Sequence, residues 1–372
     1  MINIYDVTSK KEQKAFIMLP FYLYKDNKQW VPPIINDEYK IFNIETNPAL
    51  AYCDSCFWVA EKDNKVVGRI GAIINHRYNE KIGEKIGRFS RFECIDDFEV
   101  GSKLLATAEN WLKQKGMTKV HGPLGFTNLD LQGLLIRGFE YIPSIASVYH
   151  LPYYKDIIEK CGYEKENDWL EFRLTLDSEI PEKVTRMVDL IRNRYKLKTI
   201  SFKNKKELLP YANELFDLLN VAFDELPYVS EFDDKTKTFY TNKYFNFLNP
   251  EFIKVIIDSS DKMCGFIIGL PSLSVAMQKC NGKLFPFGFI HVLRALKKPK
   301  EMDLLLTGVD PHLQGQGVPA LLINELQQVL IKHKIKHVET TGIFETNQKA
   351  IQTWKNYENI QHKQRRCFIK QL

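Results

Sequence analysis

The residues best suited to chemistry lie between Leu304 and Leu326, in the run LLLTGVDPHLQGQGVPALLINEL. A strand of buried type passes there through a glycine-containing turn straight into an amphipathic helix. The first turn of a helix carries unpaired N–H groups and a partial positive charge, so it attracts anions. Gly315 and Gly317 allow a phosphate to come close to the backbone. The pattern predicts a pyrophosphate site whose affinity comes from main-chain amides. ATP and NAD rank low, because the loop is neither GxGxxG nor a Gly-Lys-Ser/Thr loop and no acidic ribose ligand follows at the expected distance.

Three further groups of residues are candidates for binding. The loop from His121 to Leu135 offers Asn128, Asp130 and Gln132 between glycines, as a substrate-binding loop would, although capping and turn duties explain them almost as well. Asp224 and Glu225 stand just before a proline and could select a cationic substrate, while a helix-end carboxylate pair usually faces solvent. Phe285, Phe287 and Phe289 alternate and either line an acyl or acceptor channel or pack as core, with core packing favoured.

Two segments share one order of elements, so the chain reads as internally repeated. In the first, Arg88–Cys94 is a strand, Ser102–Lys115 a helix with Leu104, Leu105, Ala108, Trp111 and Leu112 in one stripe, and Thr118–Gly122 a strand. A helix over Pro152–Cys161 and a strand over Trp169–Leu176 close it. In the second, Met302–Val309 is a strand, Val318–Lys334 a helix, Lys336–Thr341 a strand and Asn347–Tyr357 a helix. Before these come a strand at Lys198–Phe202, helices over Lys205–Ala222 and Lys235–Leu248, and a strand pair at Phe252–Asp258 and Lys262–Leu270. Strands interleaved with helices predict an α/β fold with domains at 1–176 and 177–372, the junction running through DSEIPEKV, where Pro181 opens a helix.

Composition bounds the reading. With 372 residues and 44% hydrophobic content the chain can build a large core, and its length suits two domains. The net charge of +6 suits a polyanionic ligand, but the cations are too dispersed for nucleic acid. The basic tail around Lys363, Arg365, Arg366 and Lys370 reads as a solvated strand edge protected by charge. Met263–Gln278, the longest uncharged stretch, is interrupted by Pro271 and too short to span a bilayer, and the amino terminus lacks a signal-like apolar core. A cytoplasmic protein with no membrane partner is expected. Seven scattered cysteines predict reduced thiols, and the Cys53–Cys56 pair lacks two further ligands for zinc, so no metal is expected.

At the glycine loop the chain resembles the GNAT superfamily of acyl-CoA-dependent N-acyltransferases, whose loop has the form Gln/Arg-x-x-Gly-x-Gly/Ala. Here it reads Gln314, Gly315, Gln316, Gly317, Val318, Pro319, preceded by Val309-Asp310-Pro311 and followed by Asn347, Ala350 and Ile351 of an N-x-x-A-I helix. Over its whole length the chain looks like bacterial tandem-GNAT proteins, sharing the loop around Phe285, Pro286, Phe287 and Gly288. The resemblance implies two GNAT-like domains, each a mixed twisted sheet flanked by helices. It implies acetyl-CoA or another acyl-CoA as cosubstrate, with the backbone of Leu306, Thr307, Gly308 and Val309 pairing with the pantetheine arm. Amides from Gln314 to Ala320, including Gln316 and Val318, would hold the pyrophosphate, with Asn347 nearby.

Two positions depart from the family. Pro319 has no N–H, which removes one phosphate donor at a cost of about 1.5–3 kcal/mol if that bond is charge-assisted. Trp354 stands where many members place a Tyr that protonates the departing thiolate, so Tyr357, further along the same helix, or water would serve instead. A thiolate of pKa about 8.5 leaves readily even unaided. Glu345, just past a strand end, is the candidate general base for the acceptor ammonium. In the first half FECIDDFEVGSK replaces the glycine loop, so Glu93, Asp96, Asp97 and Glu99 would surround the helix entrance and repel a pyrophosphate. That half reads as a degenerate GNAT domain serving as scaffold or in acceptor recognition.

The leading reading is an acyltransferase moving an acyl group, by default acetyl, from acyl-CoA to a small-molecule or peptide amine by direct attack, as a monomer or homodimer. The alternatives are a non-catalytic acyl-CoA-binding module and a Fem-like aminoacyl-tRNA-dependent transferase. The modest charge counts against the last.

Overall fold

The computed structural model describes every residue except 246, 355 and 356. In chain order the elements are β1 (Ile2–Asp6), α1 (Lys10–Leu23), α2 (Ile35–Tyr39), β2 (Cys53–Lys62), β3 (Lys65–Asn75), α3 (His76–Ile82), β4 (Ile86–Cys94), α4 (Phe98–Gln114), β5 (Lys119–Gly122), β6 (Leu134–Arg137), α5 (Tyr153–Lys160) and β7 (Glu164–Thr175). Then follow α6 (Glu182–Arg194), β8 (Lys198–Ser201), α7 (Lys205–Leu208), α8 (Ala212–Ala222), α9 (Asp234–Tyr244), β9 (Ile253–Ile257), β10 (Met263–Pro271), α10 (Ser274–Cys280) and α11 (Gly288–Lys297). The chain closes with β11 (Glu301–Val309), α12 (Val318–Lys332), β12 (His337–Thr340), β13 (Ile343–Phe344), α13 (Gln348–Trp354) and β14 (Glu358–Gln371). The helices expected over Lys235–Leu248 and Asn347–Tyr357 include 246, 355 and 356, which lie outside the described residues.

The chain forms two compact units: Met1–Leu170 with Ser274–Phe289 and Lys363–Leu372, and Glu171–Leu273 with Ile290–His362. The division expected at 176/177 is therefore corrected. The boundary between the units falls instead between Leu170 and Glu171, inside β7, and two segments assigned to the second domain belong to the first unit. The reason is strand pairing. The end of β14 pairs antiparallel with β5, as Phe368 with Gly122, and its middle with β6, as Arg366 with Leu134.

In the first unit the strands run in the order β1-β2-β3-β4-β5-β14-β7, with β4 and β5 the parallel pair. The helix α4 makes that crossover. Asp97 caps it by accepting from the amides of Glu99 and Val100, and its apolar stripe of Val100, Leu104, Leu105, Ala108 and Leu112 is wholly buried. Each such leucine contributes about 1.5–3 kcal/mol by leaving water. Helix and sheet approach so closely that a Cβ on Gly87 would stand 2.3 Å from Leu112 Cδ2. The second unit repeats the plan, with strand order β7-β12-β11-β10-β9-β8 and α12 crossing between the parallel pair β11 and β12. Leu321, Leu322, Leu326 and Leu330 form its buried stripe.

Three expectations are corrected here. The basic tail is no solvated edge. β14 is an interior strand, Lys363 and Arg365 are buried, Arg366 Nε donates to Asp168 at 2.8 Å, and Lys370 Nζ donates to Glu109 at 2.9 Å. Glu93 does not guard the helix entrance but lies buried against Arg69, 2.7 Å from its Nε, and burial raises its carboxyl above the usual range. Phe285 and Phe287 are not core: they are 77% and 71% exposed. All seven cysteines are free.

Candidate functional site

The second unit contains an opening between its two parallel strands. β11 and β12 pair from Glu301 with His337 to Leu304 with Thr340. Thr341 maintains the contact for one more step, its amide donating to Leu304 O at 3.2 Å and its hydroxyl to Leu305 O at 3.1 Å. Beyond that point Leu306, Thr307, Gly308 and Val309 keep Ile268, Ile267, Phe266 and Gly265 of β10 as partners. Their other edge faces no strand among the described residues, so its N–H and C=O groups can receive an extended ligand as an added strand.

The open edge leads into the glycine loop. Asp310 caps a short 3₁₀ turn at Pro311–Leu313, after which Gly315 and Gly317 adopt φ of +74° and +82°. Only glycine takes this left-handed backbone without strain. The loop uses part of its own donors. The amides of Gln314, Gln316 and Ala320 donate to the carbonyls of Pro311, Leu313 and Gly317. The expectation that all amides from Gln314 to Ala320 serve an anion is thereby narrowed to Gly315, Gly317 and Val318, which have no protein acceptor among the described residues. Val318 is itself fully buried.

Helix α6 stands beside this loop. Ile191 Cδ1 lies where a Cβ on Gly317 would come within 2.6 Å. Between α6 and the loop is a cavity of about 710 Å³, lined by Lys183, Arg186, Leu190, Ile191, Arg194 and Gly315 among others. Three cations and an apolar wall thus flank the free amides, with Glu182 also in the lining and accepting from Arg186 Nη2 at 2.5 Å.

At the foot of the opening lies a buried pair of a histidine and a carboxylate. Glu339 precedes Thr340, the last β12 residue paired with β11, and its Oε1 is 3.1 Å from Nε2 of His362. His362 Nδ1 is 3.1 Å from the carbonyl of Glu171. A carbonyl can only accept, so Nδ1 carries a hydrogen and Nε2 is the ring nitrogen that faces the Glu339 carboxyl. Asp303, in register with Glu339 across β11, is 1% exposed.

No family model matches the chain. It is 30% identical over 352 residues to protein YghO of Escherichia coli, covering 91% of this chain and 87% of that protein. The chain belongs to the YghO family. It is also 24% identical over 390 residues to the bacterial ceramide synthase of Caulobacter vibrioides, covering 100% of this chain and 98% of that one. Among solved structures, a tandem GNAT protein from the clavulanic acid biosynthesis pathway matches with a TM-score of 0.56 at 12% identity, covering 100% of this chain and 98% of that chain. A GCN5-related N-acetyltransferase from Sphaerobacter thermophilus matches with 0.51 at 12%, covering 100% and 95%. The fold of this YghO-family chain is the tandem GNAT fold.

Within that fold the expected site residues fall in different places. Glu345 follows β13, half-buried, and its carbonyl accepts from Gln348 Nε2 at 2.8 Å. Tyr357 turns its hydroxyl toward Gln327 Oε1 at 3.4 Å, and burial raises its pKa, so the phenol stays protonated at neutral pH. Trp354, 6.3 Å from the Tyr357 ring, is buried with an indole N–H that has no partner among the described residues. Asn347 Oδ1 accepts from the Ala350 amide at 3.1 Å, a helix-capping role.

In the first unit Asp130 accepts from the Thr127 amide at 3.0 Å, the buried Gln132 donates to the Thr127 carbonyl at 3.2 Å, and Asn128 is half-buried. These bonds shape the loop. Asp224 and Glu225 are exposed just beyond α8. The pair Glu339 and His362 was not legible, because His362 sits in the cation-rich tail whose burial only the strand pairing reveals.

Proposed function

We propose that this protein transfers an acyl group from acyl-CoA to the amine of a long-chain lipid precursor. The observation that carries the reading is the unpaired edge of Leu306–Val309, which opens directly onto the free amides of Gly315 and Gly317. The residues fit the cosubstrate along its length. The strand edge suits the pantetheine amides, the loop amides the diphosphate, and Lys183, Arg186 and Arg194 the remaining negative charge. The acceptor class is supported by the full-length similarity to a bacterial ceramide synthase, since a ceramide is the amide of a fatty acid with a long-chain amino alcohol.

When bound, the thioester supplies an electrophilic carbonyl. As the nitrogen attacks, the N–C bond forms, the C–S bond breaks, and a proton must leave nitrogen. The pair Glu339 and His362 offers a carboxylate oxygen and an imidazole nitrogen 3.1 Å apart that can take up that proton, with Glu345 the other carboxylate at the strand ends. Main-chain N–H groups of the open edge can stabilise the oxyanion as it develops. Tyr357 remains a protonated donor for the leaving thiolate, although its hydroxyl is engaged by Gln327.

The test is release of free CoA thiol on mixing the protein with acetyl-CoA or palmitoyl-CoA and a long-chain amino alcohol, with the amide product identified by mass spectrometry. Amide formation supports the reading. Binding of both acyl-CoAs with no amide from a broad amine panel would replace it with a non-catalytic binding module.

A further inference from the structure

The first unit presents an aromatic tip that its own core does not use. Phe285 and Phe287 are 77% and 71% exposed, and Phe289, whose ring lies 5.6 Å from that of Phe285, is also exposed. Large apolar side chains grouped in water are uncommon on a protein that keeps them for nothing.

The tip is held out by a fixed base. Ser274 Oγ donates to Pro143 O at 2.7 Å, and Gln278 Nε2 donates to Lys28 O at 2.8 Å and to Trp30 O at 3.1 Å. The carbonyl of Gly282 accepts from the Ile35 amide at 3.0 Å, and a Cβ on Gly282 would meet Phe21 at 2.6 Å. Phe289 N donates to Leu284 O at 2.7 Å and closes the loop. The backbone either side of the phenylalanines is therefore anchored while their rings face solvent.

Charge decides what the rings meet. Within the same unit, from Ser274 to Phe289, the chain carries Lys279 and Lys283 and no Asp or Glu, and both cations are exposed. Aromatic rings for the acyl boundary, bordered by cations for the headgroups, match an anionic lipid surface. We infer that the segment around Phe285 and Phe287 docks the protein on the surface of an anionic phospholipid bilayer. The attachment so inferred is peripheral. No helix among the described residues is long and apolar enough to cross a membrane, so the attachment is interfacial. The inference does not depend on the acyl-CoA site.

The test is co-sedimentation of the full chain with vesicles of phosphatidylcholine alone and of an equal mixture with phosphatidylglycerol. The expected result is partition onto the mixed vesicles about tenfold above phosphatidylcholine alone, reduced to background by the pair Phe285→Ser and Phe287→Ser and weakened by Lys279→Glu with Lys283→Glu. All four side chains are exposed, so the variants should melt at the parental temperature, which is measured alongside. A parental protein that stays in the supernatant with mixed vesicles overturns the inference, as does a double-serine variant that sediments equally. A double-serine variant that loses only self-association in sedimentation velocity, with vesicle binding intact, overturns it in favour of a second copy of this chain.

Discussion

Ile191 of α6 occupies the space above Gly317, its Cδ1 2.6 Å from where a Cβ would be, while nothing stands within 4 Å of the same position on Gly315. Both glycines have left-handed backbone. Gly315→Ala should therefore cost only the backbone penalty of about 1–2 kcal/mol, and Gly317→Ala more, because Ile191 must also move. Urea denaturation of the two variants checks the order, and an equal cost would contradict the packing of α6 on the loop.

The 3.1 Å contact between Glu339 and His362 gives a kinetic prediction. Glu339→Gln and His362→Gln should each lower kcat about 10²–10⁴-fold while leaving KM for acyl-CoA unchanged. Glu345→Gln should have a smaller effect. Because a buried pair loses stability when one partner is removed, melting curves must accompany the rates. Steady-state thiol release with each variant decides between the two carboxylates.

The division between what the residues announced and what they hid has a physical basis. The stripes of α4 and α12 and the turn at Gly315 and Gly317 follow from local rules of periodicity and backbone freedom, so they could be read directly. Lys363, Arg365 and His362 could not, because their burial depends on β14 lying between strands distant in sequence. Cations usually mark a surface, and here Arg366 and Lys370 pair with Asp168 and Glu109 inside the sheet region instead. Phe285 and Phe287 misled in the opposite direction, since alternation of aromatics normally signals a core strand and these rings face water. The opening of β11 and β12 was expected only by resemblance, and it becomes visible in the register that stops at Leu304.

His150 predicts acid sensitivity. It is buried, its Nδ1 accepts from the Leu135 amide at 3.2 Å, and burial, with help from Arg365, lowers its pKa to about 3. The unfolded chain takes up this proton near pH 6.5 and the folded one only near 3. Stability is therefore full above pH 6.5 and falls as pH drops through that window, by a contribution on the order of 4 kcal/mol at its lower end. The slope of unfolding free energy against pH should flatten in His150→Asn, which keeps an acceptor for Leu135.

The cations of α6 predict a salt-dependent affinity. Lys183, Arg186 and Arg194 are exposed, so each contributes about 0.2–1 kcal/mol to holding a polyanion. Replacing all three by Ala should weaken CoA binding about tenfold and reduce its dependence on ionic strength. Retention of the parental salt slope would show that α6 does not face the ligand.

The central claim is that the loop at Gly315 and Gly317, with the open edge of β11, grips CoA. Isothermal titration of the whole protein with CoA tests it most directly, beside Gly315→Glu, whose added side chain meets nothing in the protein within 4 Å of its Cβ. The account predicts one CoA bound per chain by the parental protein and none by the folded variant. Absence of binding to the parental protein, or equal binding by the variant, would contradict it.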